Sequence, residues 1–569
     1  MTTLVFGSLR GYKPAWLRAD VLAGLTVWAV LVPESLAYAA IAGVPPVVGL
    51  YAAPPALLLY AAFGSSRHLV VGPMSATAAL SASSVAAFVS GDGNRFVEMT
   101  AALALMTGLL GIAAGLSRLG FLASFISEPV LKGFIVGLAL TIIVGQLPKL
   151  IGSDGGSGNF FEKLGSFVRH LDTGNWPTVA TGVASLAVVL ACKRWMPLAP
   201  GSLIAVLGGI IAVVVLNLDQ HGVEIVGAID PGLPSIGPPS DLSLSDYGDL
   251  AGPAGGILLI GFAEGLGAAK TYAARAGYKV DANRELVGMG AANLGSGMSS
   301  GMVVNGSLSK TAVNGGAGAR SQVSGLLVAV LTIVTLLFLT GLFEKLPEAT
   351  LAAVVIAAVI ELVDIASLRR LYNVWTGRLA AIYRHAARAD FLAAIGALVG
   401  VLLFDTLPGL IIGIVLSLLL LLYRSSRPNV TRLGQVPDGD GNWVDKSRNS
   451  AALTPDGIVV VRVEGGMFFA NSDHVRDRIE QAIEPDTYAV VIDSETSPFV
   501  DVTAATMLIE LGDSLRKQSV LLRLAHGVGQ VRDVLRKTAD TPDERFFATV
   551  DEAIASVSAE GPPTTADDP

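Results

Sequence analysis

The sequence predicts an all-α polytopic membrane domain of fourteen transmembrane segments in a seven-plus-seven inverted repeat, followed by a small cytoplasmic α/β domain. Three observations predict it. The chain has 569 residues, is 52% apolar and only 15% charged, and has a mean hydropathy of +0.60. No ordinary soluble domain balances like that, so most of the chain belongs in lipid. Apolar windows of membrane-crossing length recur as far as residue 423 and then stop. Finally, two short patterns occur twice in the same order. Glu34-Ser-Leu-Ala-Tyr-Ala39 is echoed by Glu264-Gly-Leu-Gly-Ala-Ala269, and Gly72-Pro-Met-Ser-Ala-Thr-Ala78 by Gly306-Ser-Leu-Ser-Lys-Thr-Ala312, at offsets of 230 and 234. Gly/Ala/Ser-rich helices produce single echoes by chance, but two at nearly one offset point to a repeat.

The segments follow in order. Arg10, Lys13 and Arg18 precede an apolar run from Val21 that lacks a small-residue cleavage site, so this run stays as the first span after a cytoplasmic N-terminus, 1–20. Windows then fall near 21–42, 49–63, 68–89, 99–117, 130–149, 178–192 and 202–218, forming a first repeat over 21–218. After a polar connection, 219–249, they resume near 252–272, 286–298, 307–317, 322–342, 348–363, 389–405 and 408–423, forming a second repeat over 250–424. Seven is odd, so the second half enters with the opposite orientation. The charges agree. Lys193, Arg194, Arg275, Lys279, Arg284, Arg369, Arg370, Arg378, Arg384 and Arg388 fall in loops expected inside, whereas 219–249 has no Lys or Arg.

After Arg424 the composition changes. A linker, 425–455, leads to β-branched runs at Gly457-Ile-Val-Val-Val-Arg-Val and Ala489-Val-Val-Ile-Asp, with amphipathic stretches at 474–483, 504–516 and 528–538. This pattern reads as one α/β domain over 456–559, with a Pro/Thr/Asp-rich disordered tail, 560–569. The lone Cys192 excludes an intramolecular disulfide and reads as a small buried packing residue.

The candidate chemistry lies in the doubled patterns. Each Gly72/Gly306 pattern follows a short β-branched run, too brief to cross the membrane, and then opens a helix. Pro73 suits a first helical position, and Ser307 or Asn305 a cap. A helix that starts halfway through the bilayer presents unpaired N–H groups and a positive dipole end. Two such ends facing one another make an anion site largely from backbone, with Ser75, Ser307 and Ser309 as added donors. The alternative is a set of small-residue packing faces. Lys310 costs roughly 2.5–3.5 kcal/mol at a helix centre, so it should face water or an anion unless it snorkels to the surface. Glu34 and Glu264 sit inside apolar spans, where a carboxyl protonates or pairs. Such a group can carry a coupling proton or help hold Na⁺, or it can form a structural salt bridge such as Glu264–Lys310. The inverted echo places both carboxyls on one cavity. Pro33 bends the helix ahead of Glu34. Phosphate loops followed by Lys-Ser/Thr, His/Cys ligand patterns and nucleophile elbows are absent from the sequence, which argues against an enzyme, a resident metal or a cofactor. His68, at the edge of a span, reads as an interface residue.

These residues resemble a known family. Val32-Pro-Glu-Ser-Leu-Ala-Tyr-Ala39, Ala42-Gly-Val-Pro-Pro-Val-Val-Gly-Leu-Tyr51, Gly64-Ser-Ser-Arg-His68 and Gly72-Pro73 are similar to the signature of the sulfate permease family, solute carrier family 26. Gly277-Tyr-Lys-Val-Asp-Ala-Asn-Arg-Glu285, Ala292-Asn293 and Gly306-Ser-Leu-Ser-Lys310 resemble its second half, and the terminal domain resembles a STAS domain, with Asp501-Val-Thr503 at its Asp-Ser-Ser/Thr loop. The resemblance implies core and gate domains, an anion site between the third and tenth spans, homodimers and elevator-like movement. Carried over by position, Tyr38, Met74, Ser75, Ser307, Ser309 and Lys310 match its substrate site, and Glu34 and Glu264 its coupling positions. Many relatives have Gln at the position of Glu34. Where soluble STAS relatives carry a phosphorylated Ser, this chain has Val502, so a phospho-switch there is not expected.

The expectation is therefore a secondary active transporter in the inner (plasma) membrane, coupled to H⁺ or Na⁺. It would take up sulfate or a similar small inorganic or carboxylic anion, with bicarbonate and dicarboxylates as alternatives. An uncoupled exchanger or channel is a further alternative. Its partners are the lipid bilayer and a second copy of the chain, with no nucleic acid.

Overall fold

A computed structural model describes residues 5–560 apart from 90–91, 122–126, 157, 197–198, 230, 377–385, 405, 437–441, 528 and 540–545. Residues 561–569 of the expected tail and the positions of Arg378 and Arg384 lie outside the described residues, while Glu560 ends a helix. The chain divides into two units, Met1–Leu418 and Leu419–Pro569.

Each apolar window coincides with a helix of the first unit or its C-terminal extension. They are α1 (Leu17–Ala42), α2 (Pro46–Phe63), α3 (Ser75–Ala86), α4 (Gly93–Leu116), α5 (Glu128–Ile151), α7 (Trp176–Trp195), α8 (Gly201–Leu216), α9 (Leu244–Ala276), α10 (Ala282–Met298), α11 (Leu308–Gly316), α12 (Val323–Val334), α13 (Glu348–Val359), α15 (Ala386–Phe404) and α16 (Thr406–Ser425). The amphipathic α6 (Phe160–Arg169) and α14 (Ile365–Thr376) are the other α-helices of this part among the described residues. Seven helical stretches among the described residues are long and apolar enough to cross a membrane on their own. α3 and α11 are short because each follows a strand, β1 (Val70–Gly72) and β2 (Asn305–Ser307) respectively.

Local chemistry sets the boundaries. α1 ends at Gly43, whose φ of 76° accepts the left-handed turn, and Pro33 sits inside α1 without ending it. α9 starts eight residues before its expected window, because Ser243 and Asp246 form a capping box that extends it to 33 residues. α10 begins on the Asp281 side chain, which accepts from Asn283 and Arg284. Cys192, expected to be buried, is only half-buried.

Packing relies on close backbone approach. A Cβ at Gly49 of α2 would lie 2.0 Å from the Ser35 carbonyl oxygen of α1, and one at Gly133 of α5 would lie 1.9 Å from that of Ala394 on α15. On α4, Cβ atoms at Gly108 and Gly115 would meet the α10 backbone at 2.5 and 2.8 Å, and one at Gly290 of α10 would meet Ile112 N at 2.6 Å. Such small-residue seams draw helices together where lipid supplies no hydrophobic drive.

The second unit holds a six-stranded sheet, in order β4-β3-β5-β6-β7-β8. Its strands are β3 (Asn429–Gln435), β4 (Trp443–Asp445), β5 (Ile458–Glu464), β6 (Ala489–Asp493), β7 (Leu521–Ala525) and β8 (Phe546–Phe547). The last four pair in parallel, while β3 is antiparallel to both its neighbours. Alternation divides the core. Val459, Val461, Val490 and Ile492 pack with Val475 and Ile479 of α17 (Ser472–Glu480) and with Leu508, Leu511 and Leu515 of α18 (Val502–Lys517). Ile458, Val460 and Val491 face Val550, Ala553 and Val557 of α20 (Val550–Glu560), which follows α19 (Gly529–Ala539). β3 and β4 lie within the expected linker, so the folded unit starts at Asn429 rather than 456. β3 belongs to the sheet because it pairs along Val461–Glu464 of β5. Asp501 caps α18, accepting from Ala504 N–H at 2.8 Å.

Gly49→Ala should destabilise the helical unit by about 1–3 kcal/mol, the scale of overpacking. Gly145→Ala, where no heavy atom lies within 4 Å of the added carbon, should leave the melt unchanged. Thermal unfolding in detergent checks the pair.

Candidate functional site

Residues 70–72 and 305–307 are too few to form a strand alone, and they find each other. β1 and β2 pair antiparallel, with Val70 opposite Ser307, Val71 opposite Gly306 and Gly72 opposite Asn305. Inside an apolar body every neighbouring backbone group needs a partner, and side chains supply the remainder. Asn293 acts as a third strand, donating to Val304 O at 2.9 Å and accepting from Val304 N–H at 2.9 Å. Val70 N–H donates to Thr311 Oγ1 at 3.1 Å, Asn314 donates to His68 O at 2.9 Å, and Gln322 donates to Ser66 O and Leu69 O. α9 closes over β2 at Gly261 and Gly265, where a Cβ would press on the Asn305 side chain at 3.1 and 3.3 Å.

Because the strands are antiparallel, the helices that follow them leave in opposite directions and start close together. Ser307 caps α11, accepting from Lys310 N–H at 3.2 Å, and shares a 3.1 Å hydrogen bond with the exposed Ser309. α3 begins at Ser75, with Met74 at the cap and no capping side chain. Pro73 thus lies ahead of the helix instead of at its first position. Its carbonyl is used. Lys310 Nζ donates to Pro73 O at 3.0 Å.

Lys310 is 1% exposed, so it does not snorkel. Its ammonium pairs with Glu34 Oε2 at 2.8 Å and lies 4.9 Å from the centre of the Tyr38 ring. Glu34 and Tyr38, four residues apart on α1, present one face to it. The structure therefore brings Glu34, Tyr38, Lys310, Ser307 and Ser309 together with the Pro73–Ser75 segment. The alternative salt bridge between Lys310 and Glu264 is not the one formed, and Lys310 pairs with Glu34. The reason is reach, since Lys310 sits in the first turn of α11 and faces α1.

Glu264 has neither a hydrogen-bond nor an ion-pair partner among the described residues, and its Oε2 is closed to solvent. Repulsion between two free carboxylates is thus not the arrangement present, because Glu34 is neutralised by Lys310. Asn305 Nδ2 is also buried without a hydrogen-bond partner among the described residues. His68, expected at an interface, is buried and satisfied, with Nδ1 3.0 Å from Tyr278 Oη, Nε2 3.1 Å from Ala319 O, and its ring stacked on Tyr278. Sequence reasoning missed the roles of the Pro73 carbonyl, Asn293 and Thr311, although Asn293 and Thr311 stood in the quoted motifs.

A family model described as the sulfate permease family matches residues 17–382. The chain belongs to the sulfate permease family. A STAS domain model matches residues 449–553, inside the second unit. A probable sulfate transporter of Mycobacterium tuberculosis is 36% identical over 96% of both chains. Sulfate transporter 1.1 of Arabidopsis thaliana is 30% identical over 98% of this chain and 88% of its own. Among solved structures, the murine solute carrier 26 family member A9 anion transporter in the inward-facing state superposes with TM-score 0.85 at 22% identity, covering 98% of this chain and 94% of that one. The transmembrane domain of the cyanobacterial bicarbonate transporter BicA gives TM-score 0.61 at 22% identity, covering 70% and 98% respectively. The fold is thus the family's helical membrane domain with a C-terminal STAS domain. Its named relatives are transporters, and the chain is not an enzyme.

Removing one member of a buried ion pair strands the other, at about 3–5 kcal/mol. Glu34→Gln and Lys310→Met should each lower the melting temperature markedly, and the double variant should recover most of the loss. A double-mutant cycle on thermal melts checks the coupling.

Proposed function

We propose that this chain is a secondary active transporter that takes up sulfate or a similar small anion together with protons, by elevator-type movement. One observation carries the reading. A buried lysine stands where two half-helices begin, and a carboxylate of the chain itself pairs with it. An anion arriving at the α3 and α11 starts meets backbone N–H groups, Ser75, Ser307 and Ser309. It takes Lys310 only when Glu34 gives it up. Glu34 freed in an apolar body needs a proton, so anion and proton enter as a neutralising pair. Met74 and Tyr38 wall the site. Glu264, with no partner of its own, is the second proton carrier. The sulfate assignment draws on the named relatives. The family background further supports a homodimer in the plasma membrane, with the N-terminus and STAS domain cytoplasmic.

Uptake of labelled sulfate, bicarbonate and fumarate into proteoliposomes under imposed pH and Na⁺ gradients tests this reading. Sulfate accumulation driven by an inward proton gradient is expected. Accumulation driven by Na⁺ alone, or only downhill flux, would overturn the proton assignment.

Glu264→Gln should abolish gradient-driven accumulation while leaving anion binding intact. Lys310→Ala should weaken binding by about 1–3 kcal/mol, and Lys310→Arg should retain much of it. Binding isotherms beside uptake separate the two effects.

A further inference from the structure

In the second unit, three large apolar side chains point away from the protein at one end of the sheet. Phe469 is 71% exposed, Val502 66% and Phe499 43%. Phe469 and Phe499 belong to two loops that lock together, and Val502 opens α18 directly after the second. Met467 N–H donates to Phe499 O at 3.0 Å, Asp501 N–H to Met467 O at 3.1 Å, and Phe469 N–H to Asp501 Oδ2 at 2.8 Å. Phe468 bridges the rings, 5.6 Å from Phe469 and 6.2 Å from Phe499 between centroids. The platform is tight, since a Cβ on Gly466 would come within 2.3 Å of the Phe499 ring. A contiguous exposed aromatic patch on a fixed backbone marks an interaction surface.

The same loop is tied to the end of a membrane helix. Asn471 is 1% exposed. Its Oδ1 accepts from Phe468 N–H at 2.9 Å, and its Nδ2 donates to Gly466 O at 3.0 Å and to Ser425 O at 3.1 Å. Ser425 is the last residue of α16. The closing turns of that helix expose Leu419, Leu421, Leu422 and Tyr423, followed by Arg424 and then Arg427, whose guanidinium lies 5.0 Å from the Tyr423 ring centre. Leucines giving way to tyrosine and arginine mark a helix leaving hydrocarbon through the headgroups. Phe469 is two residues from Asn471, within about 7 Å of chain, and interfacial side chains sink about 5–10 Å into that zone. The patch and the end of α16 therefore lie at one depth.

We infer that Phe469, Phe499 and Val502 insert into the phospholipid interface around the end of α16, as an anchor that seats the STAS domain against the membrane surface. Apolar rings meet the acyl boundary while Arg424 and Arg427 meet headgroup phosphates. This inference is independent of the substrate and the coupling ion.

The test uses the full chain in nanodiscs of phosphatidylcholine and phosphatidylglycerol. In a Cys192→Ser background, Phe469→Cys carries a bimane label. The reference is the same label on Lys517→Cys, fifteen residues and so about 22 Å along α18 from Val502. The label at 469 should be quenched several-fold more than the reference by lipid with a shallow doxyl group, and several-fold less by aqueous iodide. A label on Val502→Cys should lose its lipid quenching when Phe469→Asp and Phe499→Asp are added. Iodide quenching at 469 equal to that at 517 would mean that the patch faces water. Access by neither quencher would mean that protein covers it, a second copy or the chain's own helices. Either result overturns the inference.

Discussion

Three residue pairs hold the architecture of the site in place. Val70–Gly72 against Asn305–Ser307 is the shortest ladder that can tie two distant parts of the chain, and it sits where stray backbone polarity is most costly. Because it is antiparallel, α3 and α11 run away from one another and their starts converge. Asn293, Thr311, Asn314 and Gln322 are there to complete what so short a ladder cannot satisfy. The glycines of α9 follow from the same constraint, since a helix covering that ladder needs room for Asn305.

Lys310 inherits its place from this geometry. A residue in the first turn of α11 reaches across the strand pair to α1 and to the Pro73 carbonyl, and finds a carboxylate, a carbonyl and an aromatic face. The equivalent residue in the first repeat is Ala76, so the symmetric cradle holds a cation on one side only. On the proposed function, an anion between the helices is drawn off centre toward the second repeat. Glu34 answers that asymmetry with charge from the first repeat.

Much of this was legible in the sequence, for identifiable reasons. Hydropathy fixed where helices lie because lipid imposes one period and one length. The doubled Gly72 and Gly306 patterns located the half-helices because a helix start needs glycine, proline or a hydroxyl, and Ser307 caps as its type suggests. Pairing partners were not legible. Whether Lys310 meets Glu34 or Glu264 depends on which way an α11 side chain points across the strand pair, and no local pattern encodes that. The linker hid β3 because its seven residues mix Asn, Thr, Arg, Gly and Gln with only two aliphatic side chains, and β4 because it has three residues. α9's early start was written as Ser243-x-x-Asp246, but the apolar window outweighed it.

The seam between α4 and α10 has its own consequence for how such a chain can vary. Gly108, Gly111 and Gly115 on one helix, and Gly290 and Gly297 on the other, each bring an added Cβ to 3.0 Å or less from atoms of the facing helix. No rotamer change can absorb a collision with main chain, and no single compensating substitution removes one. These positions should therefore drift as a block or not at all. Natural variation should concentrate instead on exposed positions of α4 such as Leu109 and Leu116, because the far side of α10 is itself committed to α2 and, through Asn293, to Val304.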